Sequence, residues 1–128
     1  MIIDTDRWNN IPSIVNLCRE EGNMYVAVSN PCFEFWLLLH ICRISDLSSS
    51  DKENILSNSK VSNSKRFIDR ILGEILEDGY NKRNPRITRF MKGIHQAIAE
   101  SKNLNIPAED YPSGLGSDVY KVVETLIR

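Results

Sequence analysis

Three kinds of pattern are missing from this sequence: a membrane span, a secretion signal and a disulfide framework. The longest apolar run, Phe35 to Leu39, is cut by His40 and resumes only for Ile41 and Cys42. A spanning helix needs roughly 20 consecutive apolar residues, so no membrane partner is expected. Met1-Ile2-Ile3-Asp4 puts no basic region ahead of an apolar stretch, as a secreted precursor would. Cys18, Cys32 and Cys42 are an odd set with no CxxC spacing. They are expected to be small buried residues of a cytoplasmic protein rather than disulfide partners or zinc ligands. The formal net charge of −1 selects no class of partner.

What is present is one domain's worth of chain, 128 residues with 41% hydrophobic content, and no internal repeat. Its charge is segregated. Residues 1–40 hold two basic and five acidic residues, whereas residues 60–92 hold nine basic and four acidic, a local excess of five positive charges.

Met1 to Ile3 reads as a short buried strand that ends in Asp4-Thr5-Asp6. Asn10 and Pro12 suit the start of a helix, Ile11, Ile14, Val15 and Cys18 follow at helical spacing, and Gly22 closes it. Met24 to Ser29 reads as a strand buried on both faces. The order strand, helix, strand is one βαβ unit, so the fold class is α/β with a short parallel, Rossmann-like sheet. Asn30-Pro31 would start the next helix, to Arg43, apolar on every side and therefore central.

The remainder reads as mostly helical. Ser45 to Lys65, with eight serines and three asparagines, is expected to be a loop with at most one helical turn near Lys52 to Leu56. Phe67 to Leu76 forms an amphipathic helix closed by Gly79. Arg86 to Lys102 forms another, with Phe90, Met91, Ile94, Ala97 and Ile98 inward. After a Pro- and Gly-rich loop, Ser117 or Asp118 opens a last helix burying Val119, Val122, Val123, Leu126 and Ile127. Only two strands are legible, and two make a poor sheet; strands from an upstream segment or from another polypeptide are expected to complete it.

Three groups of residues can carry chemistry. Asp4 and Asp6 stand at the C-terminal end of a parallel strand, where open α/β sheets place ligands. Paired carboxylates of this kind suit Mg²⁺ or Mn²⁺, completed by waters and a substrate phosphate; the plainer reading is a loop start and helix cap. Glu34 lies in the first turn of the central helix, either facing solvent or paired in an apolar setting. His40 follows six residues later, about 9 Å along the axis and about 120° around it, so the two do not share one metal. By the same geometry Cys32 and His40 do not form a nucleophile pair. A lone His40 on this helix is more often a core histidine than a ligand. Finally, Lys82, Arg83, Arg86, Arg89 and Lys92 lie beside Tyr80 and Phe90, as a nucleic-acid contact or a solvated face.

Together these residues resemble the RloB-like family. Ser29-Asn30-Pro31-Cys32-Phe33-Glu34-Phe35-Trp36-Leu37-Leu38-Leu39-His40 looks like its "SNPxFExWLLLH" signature, and Asp4-Thr5-Asp6 falls at its D-x-D after a strand. Asp118 to Glu124 is similar to its closing helix and is less diagnostic. The resemblance implies a Toprim-type domain from bacterial abortive-infection and restriction loci, often encoded beside an AAA-type ATPase. It also implies Mg²⁺-dependent cleavage of nucleic acid, with Asp4 and Asp6 as metal ligands and Glu34 and His40 as signature positions. A Toprim site also uses a glutamate after an earlier strand, which has no counterpart here. The expectation is therefore a phage-defence nuclease site that is incomplete in this chain, with nucleic acid as partner and a homo-oligomer as a candidate assembly. The alternative is a non-catalytic domain docking on the ATPase.

Overall fold

The computed structural model describes residues 1–106 and 109–127. Its sheet is built on the apolar run that follows Tyr25. Strand β1 (Ile2–Asp4) pairs in parallel with β2 (Ala27–Asn30), in the register Ile3 to Val28 and Asp4 to Ser29. Helix α1 (Ile11–Glu21) makes the crossover, with Pro12 in its first turn and Gly22 (φ 75°) at its end. Ile3, Ile11, Val15 and Val28 form the small core beneath this unit. Met24 and Tyr25, assigned to the strand from sequence, lie before it and are exposed.

A third strand, β3 (Gly116–Ser117), pairs antiparallel with β2, so the sheet order is β1-β2-β3. A strand of two residues, one glycine and one serine, carries no hydrophobic alternation, which is why it has no sequence signal. Its tie to β2 is polar: Ser29 Oγ and Ser117 Oγ lie 2.8 Å apart, both fully buried.

The central helix α2 (Phe33–Ile41) is buried at every position from Glu34 to His40. It starts later than Asn30-Pro31 suggested. The Asn30–Pro31 peptide is cis, and Cys32 occupies the cap position in extended conformation. The Asn30 side chain is engaged elsewhere, accepting from Thr5 Oγ1 (2.7 Å) and donating to the Ser113 carbonyl (3.0 Å).

The serine-rich segment is helical rather than irregular. Helix α3 (Ser49–Ser57) begins where Ser48 Oγ accepts the Asp51 N–H (3.0 Å), and it fully buries Ile55. One cap and one apolar anchor outweigh the poor helix propensity of serine. Asn58 then ends α3 in left-handed conformation, buried, and accepts the Ile68 N–H. It thereby fixes α3 against α4 (Phe67–Ile75).

The long helix expected over Arg86 to Lys102 is broken. Two 3-10 turns (Ile87–Arg89 and Met91–Gly93) precede α5 (Ile94–Leu104), Phe90 is buried, and Met91 is exposed. The reason is a backbone crossing. A Cβ on Gly93 would stand 1.9 Å from the His40 carbonyl oxygen, so α5 begins in contact with the main chain of α2. The last helix, α6 (Val119–Leu126), opens after Asp118 as expected and buries Val119. Val122 and Val123 are only partly buried against the core, and Leu126 and Ile127 face solvent. Among the described residues no helix is long and apolar enough to cross a membrane.

Gly93→Ala is expected to destabilise the fold by about 3 kcal/mol or more, since backbone rather than a flexible side chain must yield. Denaturant unfolding checks this; a loss under about 0.5 kcal/mol would mean that α2 and α5 do not cross in contact.

Candidate functional site

The C-terminal ends of β1 and β2 meet the start of α2, and three acidic side chains gather there. Asp4 ends β1 by pairing with Ser29, and its Oδ1 accepts the Phe33 N–H at 2.9 Å. That N–H is one of the unsatisfied donors at the start of α2, and Cys32 offers no side-chain cap. A carboxylate from a neighbouring strand therefore takes the place of a local N-cap. The loop after Asp4 is held to the Asn30-Pro31 turn as well. Thr5 N–H donates to the Ser29 carbonyl (3.0 Å) and Asp6 N–H to the Pro31 carbonyl (3.1 Å). Thr5 and Asn30, expected from sequence only as loop and helix-start positions, thus join the D-x-D loop to the SNP turn.

Glu34 follows in the first turn of α2, with its side chain 6% exposed. It faces neither solvent nor an apolar wall: Lys82 Nζ lies 2.9 Å from its Oε1. Burial lowers the Lys82 pKa, but the Glu34 bond and charge and the Asp69 charge outweigh this and hold it above the ordinary lysine value. Asp6 is exposed, and its side chain makes no hydrogen bond or ion pair among the described residues.

The clustering of like charge shows on its neighbours. Burial, and then repulsion from Glu34 and Asp6, raises the Asp4 pKa, while the Phe33 N–H and Arg7 pull it back only in part. Burial and the same three carboxylates push the Cys32 thiol far upward. Cys32 is therefore a buried neutral thiol in contact with Asn58 rather than a nucleophile.

These residues fit part of a hard-cation site. One Asp4 oxygen is engaged by Phe33, which leaves the other and the Asp6 carboxylate as donors. Two carboxylates with waters and a substrate phosphate match the usual Mg²⁺ donor set. Among the described residues, no three of His, Cys, Asp and Glu come together closely enough to enclose a metal by themselves.

His40 is not part of this corner. It is buried beside Trp36 and Phe90, with ring centroids at 4.8 and 6.0 Å, and its Nδ1 lies 2.8 Å from the Trp36 carbonyl oxygen. Burial lowers its pKa, against that hydrogen bond. A neutral ring donating from Nδ1 to the preceding turn is a core role. The basic segment is divided. Arg86 and Arg89 both bind Asp78, at 2.6 and 2.8 Å, and Arg89 also donates to the Gly79 and Pro85 carbonyls. Both arginines thus clamp the loop after α4. Lys82 belongs to Glu34, while Arg83 and Lys92 are exposed and make no ion pair among the described residues.

A mixed α/β domain with an acidic corner at its strand ends is the class that this geometry defines. The profile of the RloB-like protein family matches residues 1–126, and the chain belongs to that family. No significant match is found among curated proteins or among solved structures.

The raised Asp4 pKa has a consequence of definite sign. The native state binds the Asp4 proton more tightly than the unfolded state, so stability falls as pH rises from near 3.8 through the raised value, and the deficit persists at neutral pH. Asp4→Asn keeps an acceptor for Phe33 and removes the charge. It is expected to melt higher than the parent at pH 7, with the gap closing toward pH 3. A variant less stable at pH 7 would show that the carboxylate stabilises this corner.

The buried His40 gives the opposite slope. Its lowered pKa means that the unfolded state binds the proton more readily, so stability is lost as pH falls below about 6.5. Replacement by Gln is expected to flatten that loss, as read from melting temperature between pH 7 and 5.

Proposed function

We propose that this domain carries part of a Mg²⁺- or Mn²⁺-dependent nuclease site of the Toprim type, acting on nucleic-acid phosphodiesters. The supporting observation is the corner itself: Asp4 and Asp6 at a parallel strand end, with Glu34 held close enough to perturb Asp4. Like charges gathered at a buried edge oppose stability, and such clusters concentrate at functional sites.

In this reading Asp4 and Asp6 hold the cation, which supplies charge neutralisation at the scissile phosphate and the leaving oxygen. Asp4 is aimed by its bond to Phe33, and Thr5 keeps the Asp6 loop against the Asn30 turn. Glu34 holds Lys82 beside the corner, where an ammonium can meet a phosphate oxygen. Among the described residues Asp4 and Asp6 supply two carboxylates with free oxygens, and in this reading waters, the substrate phosphate or a carboxylate from another polypeptide complete the coordination.

A second reading is supported by the sheet edge. β1 is an outer strand with Ile2 about half exposed, and Trp8 beyond it is 47% exposed. An open edge with apolar neighbours is a template for another polypeptide, such as an AAA-type ATPase partner.

The nuclease reading predicts that Mn²⁺ binds with micromolar to millimolar affinity by calorimetry and that Asp4→Ala/Asp6→Ala abolishes binding. Cleavage of mixed DNA and RNA by this chain or by an extended chain should fall at least about 100-fold in the same variant. Metal binding unchanged by the double substitution would sink this reading.

A further inference from the structure

Next to the acidic corner lies a basic cleft that the D-x-D loop and the signature helix do not account for. One wall is the segment 60–66, which folds back on itself: Lys60 bridges to Arg66, and the Val61 N–H donates to the Lys65 carbonyl at 2.9 Å. The opposite wall is Tyr80 to Arg83, where the Arg83 N–H donates to Asn81 Oδ1 at 3.0 Å. Two adjoining recesses share Lys65, Asp69 and Lys82 and together take in Arg7, Lys60, Arg66 and Arg83.

Six cationic side chains therefore line one cleft against a single carboxylate, Asp69. Its Oδ2 accepts the Arg66 N–H at the start of α4, and its Oδ1 is buried without a hydrogen-bond partner, so neither oxygen is exposed to neutralise the outer cations. Arg7, Lys60, Lys65 and Arg83 are exposed and form no ion pair among the described residues. Unneutralised like charge facing one cavity favours an anionic occupant. The position of the cleft says which kind. Arg7 directly follows Asp6, and Lys82, at the junction of the recesses, reaches Glu34. The cationic wall thus runs into the carboxylate corner. The bare corner repels any anion, peptide or phosphate alike; with the cation of the proposed site held at Asp4 and Asp6, a phosphodiester strand would place one phosphate there and its neighbours on the cationic wall.

We infer that the cleft between segment 60–66 and Tyr80–Arg83 is the track for the backbone phosphates of a nucleic-acid strand, with Lys65 and Arg83 on facing walls as its main contacts. Arg86 and Arg89 are loop clamps outside it. This inference rests on the nuclease reading for the identity of the polyanion, but the two fail separately.

The test is fluorescence anisotropy of labelled single-stranded DNA and RNA with the full chain in EDTA, from 50 to 200 mM salt. Lys65→Ala/Arg83→Ala is compared with Lys92→Ala, an exposed basic residue outside the cleft; Lys60→Ala/Lys65→Ala serves as a second cleft variant, and melting curves confirm folding. The expected result is at least a tenfold loss for both cleft variants and a salt slope shallower by about 1.4 for two lost contacts on a single strand. Lys92→Ala should stay within twofold. Unchanged binding in the cleft variants, an equal loss in Lys92→Ala, no binding by the parent chain, or equal displacement by polyglutamate would each overturn the cleft. Mn²⁺-dependent cleavage that survives such a result would leave the nuclease reading standing. Cleft-dependent binding without any metal dependence at Asp4 and Asp6 would remove cleavage and keep the track.

Discussion

The hydrogen bond from the Phe33 N–H to Asp4 Oδ1 is the constraint on which the rest of the site depends. It ties the end of β1 to the beginning of α2, the most buried helix among the described residues. A helix start must find acceptors for its first N–H groups, and here the acceptor is a carboxylate from another strand. The same bond holds Asp4 within electrostatic reach of Glu34, whose charge adds to the effect of burial in making Asp4 harder to ionise. Lys82 answers that charge from a different part of the chain, which draws Tyr80 to Arg83 toward the corner and forms one wall of the basic cleft.

Around this corner the fold is assembled by polar anchors as much as by apolar packing. Asn58 joins α3, α4 and Cys32, Ser29 and Ser117 join β2 to β3, and Asp78 gathers Arg86 and Arg89. Each is buried or multiply bonded, and each stands where hydrophobic periodicity gives no signal. Burying a polar group is costly unless it is hydrogen-bonded, so bonded anchors of this kind favour one arrangement of elements over others.

That pattern explains which expectations held. The βαβ unit, the apolar central helix and the amphipathic α4 were legible because their cores repeat with the period of their backbone, as in Ile11, Val15 and Cys18 or Phe67, Ile71 and Leu72. The start of α2, helix α3 and the broken segment before α5 were misread. There, single events decide: a cross-strand carboxylate at Phe33, a serine cap at Ser48, and a backbone crossing at Gly93. For the candidate site, Asp4, Asp6 and Glu34 were legible from their types and their places at a strand end and a helix start. His40 entered as a position of the signature with a core histidine as the plainer reading, and its ring is turned into the core.

Sequence by itself determined the class of fold and the family, because short-range periodicity and one contiguous signature encode both. It also determined that carboxylates would stand where a parallel strand ends. Only the tertiary structure decided which cations are engaged and which are left for a ligand. Lys82 reaches Glu34 across 48 residues, Arg86 and Arg89 fold back on Asp78, and Arg7, Lys60, Lys65 and Arg83 converge from separate segments. Charge interactions fall off with distance in space and not with separation along the chain, so a count of lysines and arginines in one stretch cannot identify the face they build.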